Sequence, residues 1–237
     1  MTTALSSRPD RSLRAARAAQ SLFPPGAEVG GCLIGTAPPP LPIEAAGVAV
    51  AVPKRVAEFA AGRAAVRRAL AALGLPPMAV PMGANRAPIW PSGLLGSISH
   101  SDGVALAVLA PSAHCAGIGL DIEPDAPLPS EILPLIARPI EAAKIAADPD
   151  PDAMARLIFS AKEAAYKCQF PASQTLLGFD AFEIEVDPAA QVLTARFCHD
   201  VPPFKQGEHL IGRFLRAEGL WLVGFTRILP TKAGVLG

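Results

Sequence analysis

The chain of 237 residues has no surplus of either charge, with 21 Lys and Arg against 21 Asp and Glu. A balanced chain has no global field to draw nucleic acid or a membrane surface, so any anion it binds must meet a local cluster of cations. There is no C-x-x-C pair. Cys32, Cys115, Cys168 and Cys198 lie far apart, at spacings that suit no common zinc site. Reduced, structural thiols in a cytoplasmic protein are therefore expected. No apolar run reaches the roughly 18 residues of a membrane span. The arginine-bearing start, MTTALSSRPDRSLRAARAAQ, has no apolar core behind it and is a poor secretory signal. No G-x-S-x-G elbow is present for a serine nucleophile. No segment repeats at a fixed period.

What is present is a chain 51% hydrophobic, enough for a sizeable core, with 26 prolines that punctuate short elements. A helix is expected within residues 1–20 and a strand at 30–35. A weaker strand signal lies at 48–52, and a helix over 53–73 is stopped by Gly74. GLLGSISHSDG, residues 93–103, reads as a glycine-rich turn and loop before an apolar strand at 104–111. A second strand follows at 116–124, then short helical pieces over 125–151 and a helix over 152–167. The texture turns to strand after Phe170. Each half thus offers a helix followed by strands. The expectation is an α+β fold of two similar halves, residues 1–113 and 114–237, with a cleft between them.

Asp121 and Glu123 stand two apart in the strand at 116–124, so both side chains leave on one face. On the helix at 152–167, Met154, Leu157, Ile158, Ala161 and Ala165 share a face. Glu163 and Lys167 fall opposite, an i,i+4 pair in the favourable order. A solvated strand face and an exposed helical ion pair account for these residues in the simplest way. Taken together, three carboxylates without His or Cys partners form a hard oxygen set that suits Mg²⁺, with a phosphate-bearing substrate completing its shell.

On the helix at 53–73, Val56, Phe59, Val66, Leu70 and Leu73 make an apolar arc. Arg63 lies inside it, Arg55 and Arg67 at its borders, and Arg68 away from it. A guanidinium on a core-facing stripe either snorkels to water or meets an anion, for which a substrate phosphate is the simplest candidate.

Four blocks, KRVAEFAAGRAAVRRALAALG, NRAPIWPSGLLGSISHS, GLDIE and FSAKEAAYK, occur in that order over residues 54–167. Together they resemble the 4′-phosphopantetheinyl transferases, of the large type associated with surfactin and enterobactin synthases. The resemblance implies a pseudo-dimer of two α+β halves with coenzyme A in the cleft. It implies transfer of the phosphopantetheine arm of coenzyme A to a serine of an acyl or peptidyl carrier protein, with release of 3′,5′-ADP. It also implies Mg²⁺ (or Mn²⁺) on Asp121, Glu123 and Glu163. Glu163 would also act as general base, and Lys167 would contact the diphosphate. Lys162 is a further cofactor-binding candidate. Arg55 and Arg63 would hold the 3′-phosphate, Arg86 the nucleotide, His100 a phosphate oxygen, and Ser99 would add a hydroxyl contact. His100 and Lys167 would also be catalytic, offsetting charge that gathers on the phosphoryl oxygens and the leaving 3′,5′-ADP. The chain departs from the pattern near Met82, where some relatives carry a lysine, and in the leucine of GLDIE. Two alternatives stay open: another Mg²⁺-dependent nucleotide or phosphoryl-transfer enzyme, and a non-catalytic relative that binds carrier proteins. Neither nucleic acid nor a membrane is implied as a partner, and a pseudo-dimer is expected to be monomeric.

Overall fold

The computed structural model describes residues 10–83 and 85–229. Helix α1, Arg11–Ala19, starts at Asp10, whose carboxylate accepts from the backbone N–H of Leu13 at 3.0 Å. The first nine residues of the helix expected at 1–20 lie outside the described residues. Strand β1 is Glu28–Leu33, and α2 is the short turn Pro42–Ala45, continued by a 3₁₀ turn at Ala46–Val48. No strand forms at 48–52, contrary to expectation. Val50 and Val52 are exposed there. Pro53 opens α3, Pro53–Ala72, at its first position, which holds Val52 extended as the helix cap. Gly74, at φ +72°, ends the helix.

A second correction concerns GLLGSISHSDG, which is not a loop. Strand β2, Leu94–Ser101, pairs antiparallel along its whole length with β3, Val104–Pro111, from Leu94 opposite Pro111 to Ser101 opposite Val104. Asp102 and Gly103 join them, both at positive φ. That Asp-Gly is the residue pair a two-residue hairpin demands. Strand β4 is Cys115–Pro124. Short helices α4, Leu133–Ile136, and α5, Pro139–Ala147, precede the long α6, Pro151–Ser173, and strands follow as β5, Phe182–Asp187, β6, Val192–Phe197, β7, His209–Ala217, and β8, Leu220–Ile228. All strand pairs are antiparallel. The sheets run β1-β3-β2 and β4-β8-β7-β6-β5. No described helix is long and apolar enough to cross a membrane.

Alternation along the strands builds three cores. Ala105, Ala107 and Leu109 of β3 face α3, and Trp221, Val223 and Phe225 of β8 face α6. Val104, Leu106 and Val108 meet Ile118, Leu120 and Ile122 between the sheets, where α1 also packs. The sheets are stitched at β2 and β4 by serine hydroxyls. Ser97 Oγ accepts from Leu120 N at 2.9 Å and donates to Leu120 O at 3.3 Å, and Ser99 Oγ accepts from Ile122 N at 3.3 Å. This is why small hydroxyl residues alternate in GSISHS: they satisfy β4 backbone groups that no strand ladder reaches.

The two halves repeat one another. A Cβ on Gly30 of β1 would collide with the carbonyl oxygen of Ala65 in α3, and one on Gly119 of β4 would collide with that of Ala164 in α6. In both halves a glycine lets a long helix press directly onto a strand. PIEAA occurs twice, at 42–46 and 139–143, each time opening a short helix with a fully buried glutamate. The second half adds the hairpin β5–β6. That insertion and unequal linkers make the spacing differ from one matched element to the next, so no fixed period is visible in the sequence.

Candidate active site

Arg55 and Arg63 of α3, Ser97 and His100 of β2, and the C-terminal turns of α6 border one cavity of about 540 Å³ between the halves. Arg55, Glu58, Arg63, Arg86 and Lys167 supply its charge, His100 adds an imidazole, and Phe59, Ile89, Trp90, Tyr166 and Phe170 form much of its apolar wall. In a chain of zero net charge, Arg55, Arg63, Arg86 and Lys167 on one cavity are the local cluster of cations that anion binding requires.

Each cation is placed by its element. Arg63 is 4% exposed; its Nε donates to Val80 O at 2.5 Å, and its Cζ stacks 4.1 Å above the Phe59 ring. Burial pulls its pKa down to about 10, against the opposing charge of Glu44. Arg55 donates from Nη1 to His100 Nε2 at 3.0 Å, and both lie near Glu58 Oε2, at 3.6 and 3.8 Å. An Nε2 that accepts from a guanidinium carries no proton, so the ring is neutral with its donor on Nδ1. Burial lowers the His100 pKa in the same sense. Arg86 is exposed at the rim, held at φ +62° in a turn closed by its N–H to Gly83 O at 2.9 Å.

Behind Lys167 lie the carboxylates. Lys167 Nζ donates to Asp121 Oδ1 at 2.7 Å, to Leu120 O at 3.3 Å and to Ser99 Oγ at 3.4 Å. Asp121, 3% exposed, also accepts from Ser99 Oγ at 2.8 Å and Ser160 Oγ at 2.7 Å. Glu123 leaves β4 on the same side, toward α6. There Arg156 Nη1 meets its Oε2 at 2.8 Å and the same guanidinium also clamps the carbonyls of Ala126 and Pro127. Burial first, and then the charge of Asp121, push the Glu123 pKa up to about 7. The same two causes raise that of Glu163, against the pull of Lys167. Glu163 makes no hydrogen bond or ion pair with another described residue. The expected Glu163–Lys167 helical pair does not form, because Lys167 reaches across to β4 instead.

As to a metal, among the described residues no three His, Cys, Asp or Glu side chains converge as a ligand set. The donor chemistry nonetheless fits a hard cation. The carboxylates are oxygen donors only, and Glu163, which burial first and then the charge of Asp121 make easier to protonate, has no ion-pair partner among the described residues. Two cofactor-binding expectations are corrected. Lys162 does not face the cavity. It is 2% exposed and its three donors go to Glu141 Oε2 at 2.6 Å, Ile136 O at 2.7 Å and Phe179 O at 2.9 Å. Ser99 is buried between β4 and Lys167 and serves Asp121 rather than the cavity. Glu58, Ser97, Arg156 and Ser160 went unnoticed in the sequence. The available signals were the i,i+3 spacing of Arg55 and Glu58, and a serine and an arginine each on the Glu163 helix at spacings that reach β4.

Comparisons with known proteins identify the family. A family model for the 4′-phosphopantetheinyl transferase N-terminal domain matches residues 43–110, and one for the 4′-phosphopantetheinyl transferase superfamily matches 117–216. Svp of Streptomyces mobaraensis, a 4′-phosphopantetheinyl transferase, is 43% identical over 77% of this chain and 74% of its own length. PptT of Mycobacterium tuberculosis, also a 4′-phosphopantetheinyl transferase, is 37% identical over 67% and 70%. Enterobactin synthase component D of Salmonella typhi is 42% identical over 55% of each chain. The chain belongs to the 4′-phosphopantetheinyl transferase superfamily, and is an enzyme that transfers the phosphopantetheinyl group to carrier proteins.

Proposed function

We propose that the cavity holds coenzyme A with its phosphates on the basic cluster, and that a carrier serine attacks the β-phosphate beside Lys167. The observation that carries this reading is Lys167 itself, which lines the cavity and also pairs with Asp121, so the phosphate wall and the carboxylates meet at one ammonium. Arg55, Arg63 and His100 Nδ1–H would take the 3′-phosphate, and Arg86 at the rim would take the nucleotide. Asp121, Glu123 and Glu163 would hold Mg²⁺ or Mn²⁺ once Lys167 and Arg156 yield their partners, and the ion supplies neutralisation of the diphosphate. Glu163, protonated more readily than an ordinary glutamate, accepts the serine proton. The serine Oγ–phosphorus bond forms as the bond to the departing 3′,5′-ADP breaks. Lys167 offsets charge on that leaving group. A cytoplasmic monomer that acts on neither nucleic acid nor membrane is the form proposed.

Product analysis tests it. Incubated with coenzyme A and an apo carrier, the enzyme is expected to release one 3′,5′-ADP per serine loaded, and chelation is expected to stop both. Loading without 3′,5′-ADP, or undiminished loading in chelator, would contradict the scheme.

A further inference from the structure

The twin PIEAA turns carry the same buried latch, closed by different cations. Glu44 and Glu141 are both 0% exposed. Each accepts from the N–H at its own helix start, Leu41 at 2.9 Å and Arg138 at 2.8 Å. Each also accepts from a distant chain segment, Val80 N at 2.9 Å and Ile184 N at 2.7 Å. In the second half Lys162 closes the latch and uses all its donors doing so. Arg63 stands in the matching place, two residues before the alanine carbonyl that meets the strand glycine, as Lys162 does. Its Nε bonds the Val80 carbonyl just as Lys162 bonds that of Phe179. Glu44, however, is taken by Arg67, one turn further along α3, with Nη1 to Oε2 at 3.1 Å. Among the described residues the Nη atoms of Arg63 have no acceptor, and Arg63 lines the cavity.

We propose that Arg67 is a positioning residue: by holding Glu44 it frees the guanidinium of Arg63 to bind a phosphate in the cleft. This rests on the coenzyme-binding reading above and adds the reason Arg63 is available to it. Without Arg67 the buried Glu44 carboxylate lacks a cation, and Arg63, on which the charge of Glu44 already acts, can replace it.

The test is calorimetric titration of 3′,5′-ADP and of 5′-AMP, which lacks the 3′-phosphate. The proteins are the parent, Arg63→Ala, Arg67→Met and the double variant that combines Glu44→Gln with Arg67→Met. Arg63→Ala and Arg67→Met should each weaken 3′,5′-ADP by about tenfold or more, the loss of one charge-assisted contact, with 5′-AMP changed less than about twofold. The double variant should regain most of that affinity, because a neutral amide in place of the Glu44 carboxylate no longer competes for Arg63. In turnover, Arg67→Met should raise KM for coenzyme A with kcat nearly unchanged. Arg67→Gln is read in the same way should Arg67→Met not fold. Parent-like binding by Arg67→Met or Arg67→Gln while Arg63→Ala is weakened overturns the positioning role and leaves the coenzyme reading standing. Equal loss for both nucleotides, or no recovery in the double variant, also overturns it. Parent-like binding by Arg63→Ala removes that arginine from the coenzyme site altogether.

Discussion

At Asp121 a lysine and two serines converge on one buried carboxylate, and two further carboxylates stand close enough for its charge to raise their proton affinity. Such a group is held for its charge, since an apolar side chain would pack there without needing three donors. Asp121→Ala and Glu163→Ala are therefore expected to lower carrier loading by about a thousandfold or more while circular dichroism stays native. Near-parental turnover by either would exclude that residue from the chemistry. Thiols make a second residue-scale prediction. Cys32, Cys115 and Cys168 are buried and Cys198 is partly exposed, and burial pushes the Cys168 thiol up to about 12. A disulfide reagent should titrate no more than one thiol natively, at Cys198, and four after denaturation. Three reactive native thiols would contradict the packing. Residue identities pointed to the cluster of opposite charges, yet not to their partners. A helical wheel puts Glu163 and Lys167 on one side of α6, but only the approach of β4 decides that Lys167 pairs with Asp121. The alanine-rich wheels of α3 and α6 likewise hid that Arg63 and Lys162 occupy matching sites with opposite outcomes, one open to the cavity and one sealed.

Helix-on-strand contact depends on strand glycines, Gly30 against α3 and both Gly117 and Gly119 against α6. Gly119→Ala would force a Cβ against a backbone oxygen of α6, which cannot swing aside, and should cost about 2 kcal/mol or more in urea unfolding. A change within about 0.5 kcal/mol of the parent would mean that α6 sits further from β4 than described. Lys162→Met leaves Glu141 buried without a cation and should cost about 3–5 kcal/mol, read in the same experiment. Long elements with clear boundaries were legible: α3, β3 and β4 begin or end at Pro53, Gly74, Pro111 and Pro124, as proline and glycine chemistry require, whereas α6, Pro151–Ser173, continues through Pro171 past the helix expected at 152–167. The failures share one cause. VAVAV at 48–52 has a strand's alternation and no neighbouring strand. GLLGSISHS was obscured by its small polar residues, although the following Asp-Gly marks a hairpin and its serines bond a strand of the other sheet. Pairing is a tertiary fact that local pattern does not contain.

Across the whole molecule, one architectural unit is used twice with unequal chemistry. The first half presents arginines and a histidine to the cleft, and the second presents Lys167, with Asp121 bonded behind it. Joining the β2 and β4 edges through serine hydroxyls brings the two sets together. The resemblance carried by four sequence blocks anticipated the two-half plan and the enzyme class. The duplication itself was not visible, because an inserted hairpin and unequal linkers spoil any constant period. The central claim is covalent transfer onto a carrier serine, and intact-mass spectrometry of an apo acyl or peptidyl carrier protein, incubated with the enzyme, coenzyme A and Mg²⁺, tests it most directly. The account predicts a gain of about 340 Da, the mass of one phosphopantetheine arm, abolished when the acceptor serine is replaced by alanine. Unchanged mass across several carriers, while coenzyme A still binds the enzyme, would contradict it.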